Sequence, residues 1–178
     1  MQIKNTTDRY GIVSKLLHWV VAFCVLGMLL VGSLLGALAG PTQGAVYGWH
    51  KSLGITLLAL MIVFILWSAR SIKPSYPAGT PFSQLALAKV VRYLLYISVT
   101  AMCLSGWIFT TAKGKPPILW GWFNLPAPLV PVSDSLGHTV RQWHTYLAWT
   151  ILFLVILHLI GALYHHFVRK DDVLKRML

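Results

Sequence analysis

Four long apolar runs divide this 178-residue chain and limit its fold more than any other feature. They cover about 11–39, 47–69, 90–112 and 142–168. A helix needs roughly 20 apolar residues to cross the hydrocarbon of a bilayer, and each run is long enough. Only helices keep all backbone groups of such a segment hydrogen-bonded without water. The sequence therefore predicts an all-α membrane protein, a bundle of four transmembrane helices that forms a single domain over residues 1–178.

The composition favours a membrane protein over a soluble one. Hydrophobic residues make up 57% of the chain and charged residues 11%, whereas a soluble domain has about 25% charged residues. A net charge of +11 can indicate nucleic-acid binding. Here, however, the basic residues form no patch with polar neighbours and lie in the connections between apolar runs. We therefore expect contact with membrane lipid and none with nucleic acid.

The first run needs to be distinguished from a cleaved signal peptide. An Ala-Leu-Ala sequence before Gly40 resembles a cleavage site. The apolar stretch from Leu16 to Ala39 is nevertheless longer than the roughly 7–15 residues of a signal. We expect this segment to be retained as a helix.

Lysine and arginine are unequally divided between the two ends of the predicted bundle. One end would carry eleven of these residues, and the other would carry Lys51, Lys113, Lys115 and Arg141. Cytoplasmic connections carry the excess of positive charge in membrane proteins. We therefore expect both termini in the cytoplasm. The long third connection would lie outside, where its tryptophans suit the headgroup level.

Histidines within the spanning segments are the main candidates for a functional site, because such residues are rare and usually functional. His144 and His158 are fourteen residues apart on the fourth run. They therefore lie within roughly 40° of one helix face and about 21 Å apart along the axis. This separation is too long for one shared metal ion and suits two sites. By depth, His50 pairs with His144 outside, and His18 pairs with His158 inside.

Haem suits these pairs better than zinc does. Structural zinc takes four clustered nitrogen or sulfur ligands, whereas two histidines on opposite helices match the two axial positions of haem iron. Cys24 and Cys103 form no CxxCH motif, so covalent attachment is not expected. Five glycines either give clearance for a flat macrocycle or serve close helix packing: Gly27, Gly32, Gly54, Gly106 and Gly161.

His165 competes with His158 for the inner position. It lies seven residues further along the chain, which places it within about 20° of the same helix face. Spacing alone leaves both residues open as ligands. His138 lies in the outer connection, and we expect it to have no haem role.

Short motifs occur in order along nearly the whole chain. They include Arg9-Tyr10-Gly11, His18-Trp19, His50-Lys51-Ser52-Leu53-Gly54-Ile55, Ser105-Gly106-Trp107, Trp143-His144 and His165-His166-Phe167. Their order and spacing resemble the bacterial cytochrome b561 family of di-haem inner-membrane proteins. That family shares its fold with the cytochrome b subunits of nickel hydrogenases.

The resemblance implies two haem b cofactors with axial ligands at His18, His50, His144 and His158, and thus favours His158 over His165. It also implies a third helix without a ligand, and residues 90–112 contain no histidine. Finally, it implies a multi-pass protein of the bacterial inner (plasma) membrane. Family members are thought to pass electrons from a reduced donor, for which superoxide has been proposed, to the quinone pool.

The chain departs from the family pattern, in which an arginine often stands about one helix length beyond the His50 position and is followed by Trp-Arg. Phe64 stands at the first of these positions, and Trp67 is followed by Ser68. Arg70 is a candidate replacement for a contact with a haem propionate on the inner side.

On the outer side, two basic residues flank ligand histidines. Lys51 and Arg141 are candidates for charge-assisted hydrogen bonds to propionates. The alternative is that both residues only anchor the helices at the interface.

The predicted function is transmembrane electron transfer through two bis-histidine b-type haems, between a reduced donor and the quinone pool. The alternative is a haem-bearing anchor subunit that relays electrons for a separate dehydrogenase or hydrogenase, with a redox partner docked at the outer face. A metal or proton transporter is disfavoured, because the acidic residues lie near ends or loops: Asp8, Asp134, Asp171 and Asp172. No nucleophile with a paired base is evident, so catalysis beyond quinone oxidoreduction is not predicted.

Overall fold

Four long helices dominate the computed structural model, which describes residues 2–178. In chain order they are α1 (Ile12–Leu34), α2 (Gly40–Arg70), α3 (Phe82–Ala112) and α4 (Asp134–Tyr164). All four are long and apolar enough to cross a membrane. The prediction of an all-α bundle of four transmembrane helices is confirmed.

Three helices begin earlier in the chain than their apolar runs suggested. α2 begins at Gly40 rather than about 47, α3 at Phe82 rather than about 90, and α4 at Asp134 rather than about 142. α1, in contrast, ends at Leu34, before a short 3-10 turn. The added first turns are mixed in polarity, so hydropathy does not detect them. They are helical because local signals start them, such as the Ser133 hydroxyl that caps α4.

Most of the apolar surface of the helices points away from the protein. Only 11% to 22% of each spanning segment is buried within the chain. Large side chains such as Phe23 and Trp149 are exposed on the helix surfaces. An apolar surface of this extent would be a liability in water but is compatible with lipid tails. The bilayer is therefore the solvent in which this fold is stable.

A small core joins all four helices. It contains Val21 of α1, Met61 of α2, Cys103 of α3 and Ile151 of α4. Met61 and Ile151 are only 1% and 2% exposed. Cys103 thus serves as a small apolar packing residue.

The helices pack in chain order. α1 packs on α2, α2 on α3, and α3 on α4. Within residues 2–178, α4 packs closely on α3 and only sparsely on α1 and α2. Side chains from α1 and α2 therefore meet those of α4 across a space that the backbones leave open.

The connection between α3 and α4, residues 113–133, forms a cap on one end of the bundle. It contains an antiparallel hairpin of β1 (Ile118–Leu119) and β2 (Phe123–Asn124). The Ser52 hydroxyl of α2 donates to a β1 carbonyl at 3.1 Å. The Trp107 indole of α3 donates to the Leu125 carbonyl at 2.8 Å. These bonds tie the cap to α2 and α3, and we call this end the cap end.

The opposite end of the bundle holds both ends of the described chain, and we call it the termini end. After α4 the chain makes a π-helical turn over His165–Arg169 and reverses at Lys170, whose φ is 54°. The last residues then return to the bundle. The Trp19 indole of α1 donates to the Met177 carbonyl at 2.9 Å, so the C-terminal segment is fastened beside α1.

Gly11 lies in a crowded turn just before α1, and its substitution tests the packing of the termini end. A Cβ at this position would collide with the backbone of Ile3 and Lys4. We expect Gly11→Ala to reduce the free energy of unfolding by about 1–3 kcal/mol, as overpacked sites do. The thermal midpoint of purified protein in detergent should fall. Gly36→Ala should match the wild type, since Gly36 faces open space; equal midpoints for both variants would contradict this packing.

Candidate functional site

The first pair of imidazoles lies at the termini end, between α1 and α4. The ring centres of His18 and His158 are 6.2 Å apart, with an angle of 51° between the ring planes. An iron bound to one imidazole nitrogen on each side at about 2 Å would hold the two ring centres roughly 6 Å apart. His18 is half-buried and His158 is exposed, so the pair is open on one side. Its spacing fits one metal centre between two axial ligands.

The second pair lies towards the cap end, between α2 and α4. His50 and His144 are near enough for a charge on one imidazole to act on the other. His144 Nδ1 lies 3.2 Å from the Met102 carbonyl and 2.9 Å from the Ser105 hydroxyl. If Nδ1 carries the proton and donates it to Met102, Nε2 is left free for a metal. His50 Nδ1 is buried without a hydrogen-bond partner within residues 2–178.

Two of the five glycines singled out in the sequence give clearance to these imidazoles. A Cβ on Gly106 would lie 3.1 Å from His144 Cε1, and a Cβ on Gly32 would lie 3.4 Å from His50 Cε1. Gly54 instead faces Met28 at 3.7 Å, whereas Gly27 and Gly161 face open space. Gly32 and Gly106 therefore let helices α1 and α3 approach the ring edges of the second pair.

The other histidines occupy different surroundings. His165 Nδ1 lies 2.6 Å from an Asp171 carboxylate oxygen, in the turn after α4. Burial acts to raise the pKa of Asp171. Hydrogen bonds from His165 and from the Val173 amide, together with the Arg169 charge, outweigh burial and lower that pKa. His138 is exposed in the first turns of α4. The structure thus places His158, and not His165, beside His18.

A cavity of about 750 Å³ opens at the cap end. Phe109 lines this cavity and also packs its ring against His144, with 5.3 Å between the ring centres. The cavity wall contains four basic residues and one acidic residue: Lys51, Lys113, Lys115, Arg141 and Asp134. It therefore carries an excess of positive charge next to the second pair.

Lys51 and Arg141, which the sequence singled out as flanking the ligand histidines, differ in their contacts. The Lys51 ammonium donates to the Lys115 carbonyl at 3.2 Å, and thereby also holds the cap. Arg141 is exposed at the cavity wall. Lys113 is less available, because it pairs with Asp134 at 2.8 Å.

Sequence reasoning assigned no role to two polar residues of α3. Ser105 belongs to a motif, but only the fold shows that its hydroxyl contacts His144. Arg92 was grouped with the basic residues of one membrane face, yet it lies near enough to His158 for its charge to act there. In both cases the only feature of the sequence that could have indicated a role was a polar residue on a predicted spanning helix without a histidine.

The donor set fits haem better than a bare metal ion. Within residues 2–178 no three histidine, cysteine, aspartate or glutamate side chains cluster as a metal-ion site requires. Two imidazoles per site fill the axial positions of an iron whose remaining ligands come from a porphyrin. The gaps that α4 leaves towards α1 and α2 also suit a flat group. The residues present therefore fit haem at both pairs.

Four membrane-length helices with imidazoles paired between them define an integral membrane protein of the b-type cytochrome class. Residues 9–178 match the family described as prokaryotic cytochrome b561. The chain belongs to this family, as the sequence motifs predicted. Membership carries the family's general function of transmembrane electron transfer, and it implies b-type haem and a multi-pass bacterial membrane protein.

Curated relatives match the chain over most or all of its length. It is 36% identical over 186 residues to "Cytochrome b561 homolog 2" of Escherichia coli (strain K12), covering 100% of this chain and 95% of the relative. It is 29% identical over 172 residues to "Probable superoxide oxidase CybB" of Yersinia pestis, covering 96% of each. It is 30% identical over 129 residues to "Cytochrome b561 homolog 1" of Escherichia coli (strain K12), covering 72% of each.

Gly106 provides a test of the clearance around His144. In Gly106→Val the added side chain would meet the edge of the His144 imidazole, because even a single added Cβ would lie 3.1 Å from His144 Cε1. We expect His144 to be displaced and the ratio of haem to protein in purified samples to fall, with Gly106→Ala intermediate. Gly36→Val, in open space, should keep the wild-type ratio. Full haem content in Gly106→Val would show that haem binding does not depend on the observed position of the His144 imidazole.

Proposed function

We propose that this protein moves electrons across the bacterial inner membrane through two b-type haems. His50 and His144 would hold one haem towards the cap end, and His18 and His158 would hold the other at the termini end. The observation that carries the proposal is the juxtaposition of His18 and His158, with 6.2 Å between their ring centres. His144 of the second pair lies on the same face of α4 as His158, about 21 Å away along the helix axis, and this supports a second centre.

The protein contributes ligands, orientation and a dry environment. When bound, each haem supplies an iron that accepts and releases one electron. The Met102 carbonyl, 3.2 Å from His144 Nδ1, would accept a proton held there and so orient His144 with Nε2 free for iron. His18, His50, His144 and His158 would hold two haems by two imidazoles each, which would leave no open iron position for oxygen activation. The site is therefore suited to passing electrons on, rather than to chemistry at the metal.

The distribution of basic residues supports an orientation with both termini in the cytoplasm. Eleven lysines and arginines belong to the termini end by sequence position, against four at the cap end. Such an excess is typical of the cytoplasmic side of membrane proteins. The cap and its cavity would then face outward.

Superoxide is the electron donor that the outward face suits best. It is a small anion, and the cap-end cavity presents Lys51, Lys115 and Arg141 beside the second pair. A cleft lined by one sign of charge raises the local concentration of a counter-ion. A relative carries the name "Probable superoxide oxidase CybB". Superoxide would lose one electron and become dioxygen.

A membrane quinone is the proposed acceptor. It would take up two electrons, delivered one at a time, and two protons to become quinol. Lysines and arginines near the cap-end haem would also be placed to contact its propionates, with Lys51 and Arg141 as the candidates. The overall reaction would be the oxidation of two superoxide anions for each quinone reduced.

A second candidate function is that of a haem-bearing anchor subunit for a separate dehydrogenase or hydrogenase. Exposed apolar residues of the cap favour this reading: Trp122 is 85% exposed, and Leu129 and Val132 are also exposed. A protein partner could cover them. Co-purification of a soluble redox subunit would support this reading. Quinone reduction by the isolated protein would support the first.

Alanine substitutions test the ligand assignment. His144→Ala and His158→Ala should each remove one haem from the reduced-minus-oxidised spectrum and halve the haem-to-protein ratio. His165→Ala should keep both haems, because its imidazole contacts Asp171 and not His18. If His165→Ala empties a site that His158→Ala leaves filled, the proposed pair at the termini end is wrong.

Charge removal in the cavity tests the donor. Lys51→Gln and Arg141→Gln should each slow reduction by superoxide several-fold at low ionic strength, and the rates should converge with wild type at high salt. Stopped-flow absorbance of the reduced haem would measure the rate, on samples checked for equal haem content. Lys73→Gln, at the opposite end, is the matched control. If the rate of haem reduction changes neither with the substitutions nor with the salt concentration, electrostatic steering of superoxide by this cavity is excluded.

A further inference from the structure

α3 carries no ligand histidine, yet it places the Arg92 guanidinium at the same end of the bundle as the His18–His158 pair, on the helix that packs against α4. Arg92 lies in the half of α3 nearest that end, and its side chain is half-buried. Its charge is near enough to act on the His158 imidazole. Charged side chains within a spanning segment are costly, and they are usually paired with another group. We therefore expect a negatively charged group near Arg92 to balance its charge.

The chain itself does not supply that balance. It has four acidic residues. Asp134, Asp171 and Asp172 form ion pairs with other cations. Asp8 forms no ion pair within the part of the chain that the structure describes. Within residues 2–178, no carboxylate lies at ion-pair distance from Arg92. A counter-ion would have to come from a bound group.

Most of the hydrogen-bonding capacity of Arg92 is also free. A guanidinium has five N–H donors. Within the described chain, the only side-chain hydrogen bond of Arg92 runs from Nη2 to the Tyr76 hydroxyl, at 2.8 Å. Tyr10 and Tyr96 are also neighbours. Burial raises the pKa of Tyr10, although Arg92 acts against this, so this phenol stays neutral. Tyr76 thus orients the guanidinium without neutralising it.

We propose that Arg92 binds a propionate of the haem held between His18 and His158. This inference rests on the proposed function, because it requires a haem at that pair. A planar guanidinium with free donors can take a carboxylate through two parallel hydrogen bonds. α2 offers no half-buried equivalent: Phe64 is apolar, and Arg70 is exposed, so water can balance its charge. The contact therefore comes from the helix that provides no axial ligand.

Two consequences follow from this contact. Arg92 helps to retain the haem, and its positive charge close to the iron favours the reduced state, which carries one more electron. Tyr76 becomes a positioning residue, since it fixes the guanidinium from the connection between α2 and α3. Both roles affect only the haem at the termini end.

Four variants test the contact: Arg92→Gln, Arg92→Lys, Tyr76→Phe and, as the matched control, Arg70→Gln. The measurements are the haem-to-protein ratio and a redox titration followed by absorbance. The haem at the termini end is identified as the one that His158→Ala removes. The cap-end haem is an internal reference in every sample.

In Arg92→Gln we expect the termini-end haem to be partly lost. In the fraction retained, the ratio of oxidised to reduced haem at fixed potential should rise roughly tenfold, which is about 59 mV for a one-electron couple. Arg92→Lys keeps the positive charge but loses the two parallel N–H donors of the guanidinium. Its termini-end haem should therefore keep a titration close to that of the wild type, while the haem-to-protein ratio falls. Tyr76→Phe should show a smaller shift in the same direction. Arg70→Gln should match the wild type.

The possible failures are distinguishable. Unchanged occupancy and unchanged titration of both haems in Arg92→Gln would overturn the role of Arg92 and leave the two-haem proposal intact. If Arg92→Gln does not fold, wild-type behaviour of both Arg92→Lys and Tyr76→Phe would overturn it equally. A folded wild-type protein without haem at this end would overturn both proposals.

Discussion

The pairing of imidazoles across helix gaps is the constraint on which the rest of the bundle depends. α4 carries one histidine of each pair, so it has to face α1 at one depth and α2 at the other. It can do this only if its backbone stays away from both, and it therefore rests on α3. α3 needs no ligand for that reason. Its polar residues instead serve the imidazoles of α4, as the Ser105 contact with His144 shows.

The two ends of the bundle differ in how their basic side chains are exposed to water. At the cap end, several basic residues line an open cavity beside His144 and are accessible to water and small anions. At the termini end, one half-buried guanidinium of α3 is held by the Tyr76 hydroxyl. Charges in a low-dielectric setting act more strongly than hydrated ones. A single arginine there can matter as much as a cluster at the open end, and the two proposed centres would differ in their affinity for an electron.

Hydropathy and histidine spacing were sufficient to predict the helices and to group the histidines by depth. They could not decide between His158 and His165, because seven residues turn a helix through almost two full turns. The choice depends on the reversal at Lys170, which brings Asp171 back onto His165. The position of Arg92 on the α4-facing helix was equally hidden, since a count of basic residues by membrane side carries no information on rotation. That rotation is set by the packing of α3 on α4, the most extensive helix contact among the described residues.

The balance of charge between the helices also argues for the kind of cofactor. The acidic residues of this chain lie in the terminal and connecting segments or at a helix end, while the spanning helices contribute basic side chains and imidazoles. A bare metal ion would add positive charge to a region that already has a guanidinium with no carboxylate at ion-pair distance in residues 2–178. A porphyrin with two propionates brings the metal together with negative charge, and places that charge at the edge of the ring. The imidazoles and the cations are thus complementary to different parts of one molecule. Two proposed haems would thus account for the occurrence of paired imidazoles and basic residues at both ends of the bundle.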